Sequence, residues 1–160
     1  MACNYLFSKR LSREYPERLA IVGNGRQCTY EDLHKGIDWL SGKLQDLGVQ
    51  KGSRVALFSY NSANWLTAFF AIVKAGGVAV LLNYSSSIEE AAELLKLSDT
   101  RFLLCGENAA EKKDPKAMEH LSELAGIEQE HCLRRYSFRY ILVKSRILRP
   151  VSLRLNCGRT

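Results

Sequence analysis

Few residues in this chain are spaced as a reacting site would need them. Gly23 and Gly25 open a G-x-G pattern that could begin a phosphate-cradling loop, but Cys28 stands where the third glycine belongs. Glycine is required there so that strand and helix pack closely beside a pyrophosphate. Ser85-Ser86-Ser87 precedes a helical pattern, where hydroxyls and helix amides can meet an anion, but serine at such a junction is far more often a cap. Cys3, Cys28, Cys105, Cys132 and Cys157 are odd in number, scattered and without a C-x-x-C pair. His34, His120 and His131 do not cluster with them, which argues against a zinc site and against a secreted disulfide framework. Glu89, Glu90 and Glu93 read as the solvated side and favourable first turn of a helix. Trp65, Phe69 and Phe70 fall at helical spacing and read as core. There is no G-x-x-x-x-G-K-S/T loop, no H-E-x-x-H and no G-x-S-x-G. The residues nominate no catalytic, cofactor-binding or metal-ligating side chain.

The elements that would position any site are easier to read. Leu19–Val22 and Arg26–Tyr30 flank Asn24-Gly25, the strongest short hairpin signal. Thr29, with Asp32 three residues on, caps a helix predicted to run from Tyr30 to Leu47. Its apolar stripe is Leu33, Ile37, Leu40, Leu44 and Leu47, and Gly48 takes the left-handed end. Arg54–Phe58 is a predicted strand. Asn61 or Ser62 caps a helix over Ala63–Lys74, apolar around most of its circumference and stopped by Gly76-Gly77. Val78–Leu82 is a second strand, nearly continuous in hydrophobicity as parallel strands are. Ser87 and Glu90 form a capping box for a third helix, with Ile88, Ala91, Ala92 and Leu95 inward. Arg101–Cys105 is a third strand ending at Gly106, and a further helix is predicted over Pro115–Ala125. A β-hairpin followed by βαβαβ with right-handed crossovers makes a parallel α/β sheet.

Charge divides the 160-residue chain unevenly. Residues 1–130 hold 15 Lys and Arg against all 17 Asp and Glu, while residues 131–160 hold seven Arg, one Lys and no acid. The net charge of +6 therefore belongs to the last thirty residues, and a basic body built for nucleic acid is excluded. Hydrophobic residues at 46% and charged residues at 25% fit a soluble globular domain. No apolar run reaches the ~20 residues of a membrane span, and Met1–Arg18 lacks the core of a secretory signal. Scattered thiols suit a reducing cytoplasm.

The ordered motifs resemble a known family. Thr29-Tyr30-Glu31-Asp32-Leu33, Leu47-Gly48-Val49-Gln50-Lys51-Gly52-Ser53-Arg54-Val55-Ala56, Asn61-Ser62-Ala63-Asn64-Trp65, Ala71-Ile72-Val73-Lys74-Ala75-Gly76-Gly77-Val78 and Leu82-Asn83 are similar to the opening of AMP-binding adenylate-forming enzymes. These include acyl-CoA synthetases, luciferases and peptide-synthetase adenylation domains. The resemblance covers roughly residues 15–105; Ser53 replaces the usual Asp and Leu81 the usual Pro, at turn and strand-end positions. It implies the first part of a large N-terminal domain, over residues 1–130. It also implies a parent ligase that uses ATP and Mg2+ to convert a carboxylic acid to an acyl-adenylate and then passes it to a thiol such as coenzyme A. The "SGTTGxPKG" loop, the "GxTE" segment, the ribose-binding Asp and the lid Lys of that family have no counterpart in this chain.

The expectation is thus an inactive fragment of an AMP-dependent synthetase or ligase, with no cofactor of its own. Residues 131–160 are expected to be a non-homologous basic tail, irregular, disordered or read out of frame. The truncated sheet should leave its last strand as a bare edge, and Trp65 and Phe69 should face absent partners, favouring self-association. The rival from another class is a small α/β interaction module. Its tail, with Arg134, Arg135, Arg139 and Lys144 among Tyr136, Phe138 and Tyr140, would bind nucleic acid or an anionic membrane. No nucleic-acid partner is expected on the preferred reading.

Overall fold

A computed structural model describes residues 3–23, 26–106, 120–121, 123–126, 129–133 and 138–143. Its elements are α1 (Cys3–Glu14), β1 (Leu19–Gly23), β2 (Arg26–Thr29), α2 (Tyr30–Asp46), β3 (Arg54–Phe58), α3 (Ala63–Lys74), β4 (Val78–Leu81), α4 (Ile88–Leu97), β5 (Phe102–Gly106), β6 (Gln129–Leu133) and β7 (Phe138–Val143). Strands β1 and β2 form the antiparallel hairpin; its Asn24-Gly25 turn lies outside the described residues. A five-stranded sheet runs β4-β3-β5-β7-β6. Its β4, β3 and β5 are parallel, and β7 pairs antiparallel with both β5 and β6.

The parallel half is built as the apolar pattern requires. Along β3, Ala56 and Phe58 enter one core with Leu103 and Cys105 of β5. Val55 and Leu57 enter the opposite core with Phe102 and Leu104. Alternate side chains of a strand point to opposite faces, so a sheet covered on both sides needs apolar residues at every position. On the first face lie Ile88, Ala91, Ala92 and Leu95 of α4 with Leu121 and Ala125. Leu40 and Leu44 of α2 and Ala68, Ala71 and Ile72 of α3 cover the second. Helices on opposite faces follow from the order β4-β3-β5: right-handed crossovers leaving a strand in opposite directions cross opposite faces.

Helix ends obey local chemistry. Thr29 Oγ1 accepts from the Asp32 amide at 3.1 Å while Asp32 Oδ2 accepts from the Thr29 amide at 3.2 Å, so that capping box is complete. Ser62, not Asn61, caps α3 by accepting from the Trp65 amide at 3.2 Å. Ser87 and Glu90 close a second box, at 3.1 and 2.9 Å. Gly76 has φ +88°, and a Cβ there would meet the Lys51 backbone at 3.3 Å. Glycine is needed on both counts.

Four expectations are corrected. Helix α1 occupies a stretch read only for targeting signals; Leu6, Phe7 and Leu11 give too narrow a stripe to announce it. It packs on α2 and α3. The basic segment is not irregular throughout, since β6 straddles His131 and β7 follows. For that reason β5 is not the edge; among the described residues β4 and β6 are. Trp65 and Phe69 are half-buried against the α2–α3 core, their rings stacked at 5.8 Å, so they do not form the exposed patch expected of them. Of the helix predicted over Pro115–Ala125, residues 115–119 lie outside the described residues, and 120, 121 and 123–125 are helical. Arg134, Arg135, Tyr136 and Lys144 also lie outside them.

Candidate functional site

In open α/β sheets, ligands gather at the carboxyl ends of parallel strands, where adjacent strands send their connections in opposite directions. Here that point lies between β3, whose chain turns to β4, and β5, whose chain leads away to β6 and β7. Buried Ser59 follows β3 directly, and its hydroxyl donates to the Tyr60 carbonyl at 3.3 Å. Across from it, a Cβ on Gly106 at the end of β5 would stand 2.0 Å from Ser59 Oγ. Only glycine lets the two strand ends close over this serine. Tyr60, 49% exposed, meets Tyr84 edge to face at 5.4 Å. Asn83 turns the chain after β4 by accepting from the Ser85 amide at 2.9 Å. The N-termini of α3 and α4 open onto this same edge, because each helix follows its strand.

What the edge can do is limited by what fills it. Ser62 takes one free amide of α3, and the Ser87–Glu90 box takes amides at the start of α4. Glu89 and Glu90 also place negative charge where an anion would sit. Ser87 of the Ser85–Ser87 run is therefore a cap. Gly23 belongs to β1 of a two-stranded hairpin, the wrong setting for a dinucleotide loop. Among the described residues, the edge consists of turns, helix caps and the Tyr60–Tyr84 contact.

Elsewhere, several described titratable groups are shifted by their surroundings. Burial, then the nearby Asp32 carboxylate, pushes the half-buried Cys28 thiol above its usual range, away from the nucleophilic thiolate. Hydrogen bonds from Thr29 hold Asp32 below the usual carboxylate range, as a structural cap. Burial lowers His34 from its ordinary 6.5, against the pull of Asp38. Cys105 is fully buried in the sheet. Among the described residues no three His, Cys, Asp or Glu side chains are grouped as metal ligands. Sequence reasoning passed over Ser59, Tyr60 and Tyr84; the one signal was Gly106 at a strand end.

Comparison with known proteins identifies the scaffold. Residues 8–142 match the AMP-binding enzyme family. A nonribosomal peptide synthetase, atnA, of Emericella nidulans is 35% identical over 104 residues, 65% of this chain and 1% of its own length. An acyl-CoA ligase, sidI, of Beauveria bassiana is 34% identical over 85 residues, 53% of this chain and 15% of its own. Among solved structures, the Klebsiella oxytoca NpsA N-terminal subdomain in complex with anthranilyl-AMSN superimposes with a TM-score of 0.59 at 27% identity, covering 63% of this chain and 27% of that one. The chain thus spans a small part of the length of the relatives it matches. These likenesses favour the ligase reading over the interaction module. The match takes in the parallel strands, their caps and β6 together, and on that ground the chain belongs to the AMP-binding enzyme family.

Proposed function

We propose that this polypeptide is the opening scaffold of an ATP-dependent acid–thiol ligase. The parent reaction activates a carboxylic acid with ATP and Mg2+ and then transfers the acyl group to a thiol such as coenzyme A. The carrying observation is the family match over residues 8–142 on a sheet whose parallel core has the family's fold. Among the described residues the stretch supplies strand ends and helix caps. Removing one preorganised donor commonly costs about 10²–10³ in rate, and here the whole set lies outside the chain. The 160-residue chain by itself therefore binds no nucleotide productively and catalyses no adenylation. It works in the cytoplasm, contacts no nucleic acid, and self-associates through apolar residues left exposed at the margins of the sheet.

Two assays test this. Pyrophosphate release with ATP, magnesium, coenzyme A and carboxylic acids of varied chain length should stay at background for the purified chain. Acid-dependent release above a no-enzyme control would overturn the assignment. Residues 19–106, grafted in place of the matching segment of an adenylation domain, should preserve ATP–pyrophosphate exchange. A folded chimera that has lost exchange would show that the scaffold is not interchangeable.

A further inference from the structure

We propose that residues 144–160 of this chain dock on the outer side of α4, covering an apolar corner that α4 and β4 leave at the amino-terminal end of the parallel strands. The inner residues of α4, Ile88, Ala91, Ala92 and Leu95, are buried on the sheet. Leu94 and Leu97 are not; they lie one turn apart, 42% and 83% exposed. Val78, which opens β4, is 52% exposed. Two residues on, Val80 packs against the core beneath α4, so Val78 belongs to that same face of the sheet. The end of α4 is held at this margin. The Thr100 amide donates to the Leu95 carbonyl at 3.0 Å, and Asp99 pairs with Arg54, the register partner of Val78, at 3.3 Å. Single exposed leucines are ordinary, but apolar residues gathered at one corner of one face mark a contact surface.

Position, length and chemistry select the occupant. Strand β7 runs antiparallel to β5 and ends at Val143, the register partner of Phe102. Phe102 stands five residues after Leu97, so residue 144 leaves the sheet at the end where α4 finishes. Residues 144–146 can span about 10 Å and residues 147–155 about 30 Å, against about 15 Å for the ten residues of α4. Residues 144–160 hold Lys144, Arg146, Arg149, Arg154 and Arg159 and no acid, interleaved with Ile147, Leu148, Val151, Leu153 and Leu155. Helix α4 carries three Glu against one Lys, with Glu93 exposed beside Leu94, and its carboxyl-terminal end adds the negative pole of its dipole. A basic, leucine-bearing segment therefore meets an acidic helix with bare leucines. Tethering holds it there at an effective concentration of about millimolar, so modest contacts suffice. Leu81, on the opposite face of β4 with Ala79, and Val22, on the hairpin, stay available for contacts between copies. The docking does not depend on the parent reaction.

Hydroxyl-radical footprinting of the full chain, read by mass spectrometry, measures side-chain exposure at these positions. Leu97 should oxidise about fivefold more slowly in the full chain than in a chain stopped after Val143, the change that a docked population of about 80% gives. Val22, remote from the corner, should oxidise equally in both. Should the shortened chain fail to fold, Leu153→Asp/Leu155→Asp in the full chain serves instead, and it should restore fast oxidation of Leu97. Arg146→Glu/Arg149→Glu should restore it in part. Equal Leu97 oxidation in the full chain and in the Leu153→Asp/Leu155→Asp variant overturns the proposal. So does protection that disappears on dilution, which would assign the cover to a second copy.

Discussion

The parallel half of the sheet and its antiparallel flank were assembled by different rules. Of the ten residues in β3 and β5, all but Arg54 are buried, and helices close both faces. A strand in that setting has no position at which a polar side chain is tolerated, so it writes itself into the sequence as an unbroken apolar run. The flank, β6 and β7, contains Glu130, His131 and Arg139. It joins the sheet through backbone hydrogen bonds to β5, which constrain side-chain type far less. Composition reports burial well and pairing poorly.

The sharpest way to break the comparison is to cut into the parallel core. Phe58→Ala removes a ring that is 0% exposed between β5 and α4 and should cost about 3–5 kcal/mol, approaching the whole stability of a small domain. Urea unfolding followed by tryptophan fluorescence would measure it, and a loss under 1 kcal/mol would mean that the core is loosely packed. Leu142→Pro tests the flank. Between β5 and β6, residue 142 of β7 faces Leu103 on one side and Glu130 on the other, so proline there removes a ladder donor and should cost about 3 kcal/mol. If the melt is unchanged, the flank contributes no stability and the basic segment behaves as the loose tail its composition suggests.

Smaller substitutions probe the joints. Gly106→Ala should lose about 1–3 kcal/mol by forcing a methyl against Ser59, and Ser59→Gly in the same chain should recover most of it. Without that recovery, the closeness of the β3 and β5 ends is not what demands glycine. Ser87→Ala should cost about 1 kcal/mol through the α4 cap, with Thr29→Ala similar at α2. The Thr29 box also carries a weak pH dependence. Asp32 has its proton affinity lowered on folding, so its contribution is full above the ordinary carboxylate value and fades as pH falls through the lowered one. Melting curves between pH 7 and pH 3 should show a shallower decline for Thr29→Val than for the parent; parallel curves would remove Thr29 as the cause.

Much of the body was legible because local and tertiary demands agree there. The stripe from Leu33 to Leu44, the caps at Thr29 and Ser87, and the glycine ends at Gly48 and Gly76 each follow from a pattern within a few residues. Helix α1 escaped because its stability comes from α2 and α3, not from its own composition. Strand β7 escaped because its partner β5 is far away in sequence and its hydrogen bonds are indifferent to the arginine it carries. The contact between Ser59 and Gly106 was hidden for the same reason, being made by two strand ends that meet only after β4 and α4 have been laid down.

The antiparallel seam between β5 and β7 also sets a timetable. Residues 54–106 can pair the three parallel strands as soon as they are free, but one border of β5 waits for residues 138–143. At about 5–20 residues per second of synthesis, that partner emerges a few seconds later. Through that interval every nascent copy carries a hydrogen-bonding border open to its neighbours on a polysome, and slower translation of the intervening stretch would lengthen the hazard without altering a single contact in the finished fold.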